Sequence, residues 1–472
     1  MPPASPSSSS GAPASKGFPD RPAGSAAATA PVDHRVEAPL VLDTEPPRTL
    51  RFRDHFALWM NLGVSLIGFS TAATVLGAKG SELSLAAAVT AIVAGTAVGT
   101  AMLGVAALIG ARTGAPAMAN LRGLFGTRLS YLPTVLNIVQ CVGWGVFELL
   151  TIAAGAQTVA HTSGYRWLFV LLAGALTTVL TIWPLGSIAV LRRFVAAAVG
   201  VAMVYFTVQL GRQGVPDPGA GNWHGFLGAT DAMIAVSISF VPMAADYTRH
   251  SRTPRSSFWG SFSGYTVAQV WCYVLGLMAL LQSDGDPSRI FDSFLGVWAG
   301  WLFLLVLVLR ETDQSFANVY STAMSLQNLL PRVDRRVLSG GIGVLTTVLA
   351  LRIDRFTDTY SNFLGLIGSV FVPLLAVLAV DYFFGAGRHG WDLSERAPSR
   401  WLMLLPWVLG FAVYQFIAPT AVADWWVNSW TSAQHALHFT PQEWTSASLF
   451  AFLVPAAVTW ALTPLTRRTA RA

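Results

Sequence analysis

The sequence predicts an all-α integral membrane protein with twelve transmembrane helices, and three observations predict it. Of 472 residues, 53% are hydrophobic and only 11% charged, with a mean hydropathy of +0.53, whereas an ordinary soluble domain carries roughly 25% charged residues. From Phe56 onward the chain is a succession of continuous apolar segments, each of about 20 residues or more and so long enough to cross the hydrocarbon layer as a helix. A closed β-barrel would show alternating strands of about ten residues, which these unbroken runs do not offer.

The segments run over 56–79, 83–111, 130–160, 165–184, 188–210, 227–248, 257–282, 294–329, 337–353, 357–385, 401–419 and 444–465. Basic residues alternate between their connections. Arg112, Arg122 and Arg128, Arg192 and Arg193, Arg249, Arg252 and Arg255, Arg332, Arg335 and Arg336, and Arg388, Arg396 and Arg400 make fourteen in one set. The other set holds six: Lys79, Arg166, Arg212, Arg289, Arg352 and Arg355. The richer set is expected on the cytoplasmic side. Both termini join it, with Arg48, Arg51 and Arg53 at one end and Arg467, Arg468 and Arg471 at the other, in a plasma (inner) membrane. Residues 1–50, rich in Pro, Ser and Ala and without the apolar core of a signal peptide, read as a disordered cytoplasmic tail. Residues 51–466 then form the transmembrane domain, and 467–472 a short cytoplasmic tail.

The net charge of +6 and pI near 9.6 do not point to a nucleic-acid partner, because the basic residues sit in short clusters between spans rather than on one face. Cys141 and Cys272 both lie inside apolar spans, which argues against a disulfide framework or a zinc site. The histidines are scattered, and no phosphate loop or nucleophile elbow stands out, so nothing argues for an enzyme.

Two spans carry the marks of a broken helix. The first contains "GVSLIGFSTAAT" and the sixth "AVSISFVPMAAD" with Pro242. They occupy corresponding positions if the chain is built from two five-helix repeats of inverted topology followed by two extra C-terminal helices. Paired interruptions of this kind point to a binding site near the membrane midplane. Gly, Ser and Pro also serve as packing residues or simple kinks in membrane helices.

In the third span, Gln140, Trp144 and Glu148 recur at four-residue intervals and share one helical face. A flat heterocycle can stack on an indole while a carboxylate one turn away accepts from its N–H groups; the plainer reading is a packing aromatic and a paired acid. In the sixth span, Ser239 and Phe240 precede Pro242, where Phe240 reads equally as a second stacking face or a core residue. The eighth span carries "RETDQSFANVYSTAMS" inside a hydrocarbon-length run. Glu311, Ser315, Asn318, Thr322 and Ser325 fall within a stripe of roughly 80°, while Asp313 lies behind it. Arg310, Glu311 and Asp313 form either a salt-bridged cluster or, with the hydroxyls, an oxygen-rich site for a small cation. Asp246, Arg249 and Asp381, at span ends, read as scaffold.

Three stretches resemble the nucleobase:cation symporter-1 family of cytosine, purine, allantoin, hydantoin and hydroxymethylpyrimidine permeases. They are "TGAPAMANLRGLFGTRLSYLP" after the second span, "PMAADYTRHSRTPRSSFWG" after the sixth, and "YSNFLGLIGSVFVPLLAVLAVDYFF" in the tenth. The resemblance implies a five-plus-five inverted-repeat transporter that works by alternating access, with a planar base held between aromatic side chains of spans three and six. It assigns Trp144, Glu148, Gln140, Ser239, Phe240, Asp313 and Asn318 to the substrate. A coupling cation would sit among backbone carbonyls from Ser65 to Gly68 and the hydroxyls of Thr312 and Ser315. Where the family pattern has adjacent hydroxyls this chain has "ETDQS", so either Na+ or H+ remains open as the coupling ion, and no other cofactor is expected. The implied activity is import of cytosine or a related pyrimidine, then a purine, ahead of an amino-acid substrate or a sensor that binds without transport.

Overall fold

The computed structural model describes residues 46–76, 83–162, 164–182, 188–214, 217–330, 333–353 and 356–469, without the side chains of several helical residues, Asp313 among them. The first 45 residues and the last three, which make up most of the expected tails, lie outside this set. Among the described residues the chain is helical, with two isolated bridges and no strand. In order the helices are α1 Phe52–Gly63, α2 Leu66–Leu76, α3 Leu85–Thr113, α4 Ala117–Phe125, α5 Tyr131–Val159, α6 Arg166–Ile182, α7 Ile188–Arg212, α8 Phe226–Ile238 and α9 Val241–Thr248. They continue with α10 Pro254–Gln282, α11 Ile290–Leu295, α12 Gly300–Leu329, α13 Arg335–Ala350, α14 Phe356–Phe384, α15 Leu404–Ile417, α16 Asp424–Ala436 and α17 Ala447–Thr469.

Six apolar units are long enough to span a bilayer on their own among the described residues: α3, α5, the unit Phe226–Thr248, α10, the α14 region and α17. The α1 and α2 pair makes a seventh, bent by 63°. Shorter apolar helices stand at four further segments, as α6, α7, α13 and α15, while α12, in the eighth segment, is long but too polar to count as a span by composition. The connections hold more helix than the hydropathy pattern suggests. α4 and α16 form where loops are expected, and the eighth apolar segment is divided, α11 ending before Ala299 takes a left-handed backbone (φ 53°) and α12 begins.

Local chemistry explains several of the ends. Ser84 accepts the Ala87 N–H at 3.1 Å to cap α3, and Gly114 (φ 68°) closes it in a left-handed turn that only glycine adopts without strain. Thr253 caps α10 ahead of Pro254, whose missing N–H costs nothing in a first turn. Small residues set how closely the helices meet, as membrane packing requires. A Cβ on Gly95 of α3 would lie 2.5 Å from Thr230 O of α8, and one on Gly264 of α10 would lie 2.4 Å from Phe56 O of α1. α10 packs against α1, α2 and α3, α3 packs against α8, and α12 packs along α5.

Candidate binding site

The first span breaks because Val64 takes an extended backbone (φ −83°, ψ 111°), ending α1 at Gly63 and letting α2 start at Leu66. A helix start inside apolar surroundings needs acceptors for its first amides. Glu311, on α12, supplies them. Its Oε2 accepts from Leu66 N at 2.7 Å, and its Oε1 accepts from the Ser65 hydroxyl at 2.7 Å and from Ile67 N at 3.4 Å. The adjacent Arg310 donates to the carbonyl of Asn61, in the last turn of α1. Both side chains are buried, so one dipeptide of α12 serves both stumps of the broken helix.

The expected interruption of the sixth span is milder. Ser239 and Phe240 keep right-handed helical backbone angles, and Phe226–Thr248 continues as one apolar unit. Pro242 has no N–H, and Met243 N donates to Phe240 O at 3.1 Å instead of reaching one residue further back. That leaves the Ser239 carbonyl to accept from Gln140 Nε2 at 2.7 Å. The ladder tightens locally rather than unwinding.

Between the two interruptions lies a narrow cavity of about 30 Å3, room for a water or two. Trp144, Glu148, Ser239, Phe240 and Asn318 line it, as do Ser65 and Gly68. Trp144 is held edge-on by Tyr360 and Phe363, with ring centroids 5.9 and 5.4 Å away. Phe240 is held edge-on by Trp59 at 5.9 Å and by Tyr265 at 5.1 Å. Asn318 Nδ2 donates to Glu148 Oε1 at 2.7 Å, which fixes the carboxylate. Glu148 Oε2 and the Tyr273 hydroxyl are buried without a hydrogen-bond partner. Such atoms cost roughly 1–3 kcal/mol each and are spared that cost by a ligand that bonds them.

Other expected residues fall elsewhere. Gln140 bonds backbone and Asn137 rather than lining the cavity. The Ser239 hydroxyl turns back to Val236 O at 2.6 Å. Glu311, Ser315, Asn318, Thr322 and Ser325 are all buried, as a common stripe requires. The Asp313 side chain lies outside the described residues. Thr312, half-buried on α12, donates its hydroxyl to Leu309 O. Of the expected carbonyls, Ser65 O accepts from Gly68 N and Ile67 O from the Thr71 hydroxyl. Three of the oxygens proposed for a cation are therefore already engaged, while the Ser315 hydroxyl is buried on α12.

Three cavity residues on α10 escaped the sequence reading: Tyr265, Gln269 and Tyr273. They recur at the same four-residue interval that singled out Gln140, Trp144 and Glu148, so the signal was present. A second cavity, of about 370 Å3, lies beyond, lined among others by Thr74, Thr151, Arg166, Phe356 and Tyr360. Thr71, on the wall of the first cavity, and Tyr360, on the wall of the second, share a hydrogen bond of 2.8 Å. The acids at span ends are scaffold. Asp246 accepts from Ala117 N at the start of α4, and Asp381 takes both arms of Arg400 at 2.7 and 2.8 Å.

Residues 44–394 match the family model described as a permease for cytosine/purines, uracil, thiamine and allantoin. A putative purine-cytosine permease, YxlA of Bacillus subtilis, is 26% identical over 365 residues, covering 72% of this chain and 76% of that protein. Among solved structures, the inward-facing conformation of Mhp1 superposes with a TM-score of 0.71 at 17% identity, over 92% of this chain and 95% of that one. Mhp1, described as a nucleobase-cation-symport-1 family transporter, in a closed conformation with bromovinylhydantoin bound gives a TM-score of 0.68 at 17% identity, covering 91% and 97%. At that identity the likeness shows the shared fold.

Proposed function

Because the chain belongs to the nucleobase:cation symporter-1 family of membrane permeases, we propose that it imports a planar nucleobase, cytosine or a related aminopyrimidine, by alternating access. In this reading Trp144 and Phe240 part to admit the ring and then close on its two faces. Glu148 accepts from its amino or ring N–H group, and Asn318 holds the carboxylate in place. The observation that carries the proposal is the Glu148 Oε2 atom, buried and unpartnered on a cavity wall between two aromatic side chains. A base with an exocyclic amine satisfies it; an amino acid's ammonium would too, but among the described residues no cationic side chain lines the cavity to receive its carboxylate.

The wider arrangement belongs to the same proposal. Twelve spans form two inverted five-helix repeats and two further helices in a plasma (inner) membrane, with both termini cytoplasmic. The cavity bounded by Tyr360 is the vestibule on the Arg-poor, outer face, and a cation, H+ or Na+, accompanies the base. Transport then follows if base and ion together favour one gate state over the other.

Uptake and thermal-shift panels of cytosine, uracil, adenine, hypoxanthine, allantoin, hydantoin and hydroxymethylpyrimidine test the substrate. Cytosine should exceed uracil by about tenfold or more, since a hydrogen bond to a charged group contributes roughly 1.5–3 kcal/mol. Equal binding of both would mean that Glu148 takes a ring N–H, which uracil also offers, and not the amino group. Trp144→Ala should weaken base binding by about ten- to a hundredfold, because base–aromatic stacking contributes roughly 1–3 kcal/mol. Unchanged binding in a well-expressed variant would end the stacking proposal.

A further inference from the structure

We propose that in this chain Arg310 and Glu311 do, at the break of the first span, the electrostatic work that a bound metal cation would do, so that the base binds and is carried without sodium. This inference rests on the transporter reading given above.

A broken helix exposes two unlike ends. The last carbonyls of α1 carry partial negative charge and the first amides of α2 partial positive charge. A metal ion answers only the carbonyl side. Here a guanidinium reaches Asn61 O on that side, and a carboxylate takes Leu66 N, Ile67 N and the Ser65 hydroxyl on the other. Each stump thus meets a full charge of the favourable sign, supplied by neighbouring residues of one helix.

The same geometry leaves sodium poorly provided for. A hard cation gathers several oxygens at once. Two of the carbonyls the family resemblance nominates, Ser65 O and Ile67 O, receive donors from their own helix, the nominated Thr312 Oγ1 is turned to Leu309 O, and the Ser65 hydroxyl beside them donates to Glu311. A cation entering there would also lie near a buried guanidinium, with its like charge. Burying Arg310 and Glu311 is itself costly unless each is paired and hydrogen-bonded; Glu311 accepts three bonds across the break, and Arg310 donates one to the Asn61 carbonyl.

The test uses purified full-length protein in detergent, melted in NaCl and in choline chloride of equal ionic strength, with and without cytosine. The expected result is the same melting temperature in both salts for the base-free protein, and a cytosine affinity that differs by less than about twofold. A sodium-specific rise in the base-free melting temperature, or an affinity gain of about tenfold with sodium, overturns the inference. Arg310→Gln sharpens it, by leaving Glu311 without its neighbouring positive charge. In that variant sodium should raise stability or affinity where it does not in the parent; an equal loss in both salts would mean that Arg310 is only structural. Should the variant not fold, the parent's salt comparison decides alone. Should no base bind in either salt, the substrate reading falls while the base-free melting still decides on sodium.

Discussion

The first and sixth spans look alike as sequence and part company as structure. Both carry serines and helix-disfavouring residues near their centres, yet the first bends by 63° between two separate helices while the sixth continues through Ser239 and Phe240 with helical angles. The difference is in what comes across to meet the freed backbone. At the first break charged side chains of α12 take up amides and a carbonyl. At the sixth one neutral amide, Gln140, takes a single carbonyl. A break opens as far as its partners can support it, because an unpaired backbone group in an apolar surround costs several kcal/mol.

The contrast can be broken at three points, from the largest expected effect to the smallest. Glu311→Ala strips Leu66 N, Ile67 N and Ser65 Oγ of their acceptor and should cost about 3–5 kcal/mol, since each buried group left unpaired costs roughly 1–3 kcal/mol. The readout is folded yield and melting temperature in detergent; a variant melting within a few degrees of the parent would show the break to be held by something else. Gln140→Leu removes two neutral bonds, to Ser239 O and to Asn137 Oδ1, and should cost about 1–3 kcal/mol. If it proved as damaging as Glu311→Ala, the distinction between the two interruptions would collapse. Pro242→Ala restores a donor and lets Met243 N compete with Gln140 for the Ser239 carbonyl. Its melting temperature should hold or rise slightly while base affinity drops a few-fold, and a gain in affinity would count against the interruption having a role.

The helical segments were legible because hydrocarbon-length apolar runs leave few alternatives, and the polar stripe of α12 because 3.6-residue geometry is strict. α4 and α16 were missed, being short polar or mixed helices with no span-length signal. Tyr265, Gln269 and Tyr273 were missed for the opposite reason: phenols and a neutral amide blend into an apolar helix, where a carboxylate does not. The role of Glu311 could not be read at all, since its partners stand 244 to 246 positions earlier and only the packing of α12 against the break brings them together.

A counter-charge that belongs to the chain has a thermodynamic consequence that a dissolved ion does not share. Sodium can be taken up on one side and released on the other, and that transfer does work on whatever travels with it. Arg310 and Glu311 return to their starting positions at the end of every cycle, so they shape its barriers and contribute nothing to its net free energy. With such a pair in place of sodium, accumulation against a gradient has to be driven by a species that leaves the protein, and the base itself or a proton drawn from water is what remains.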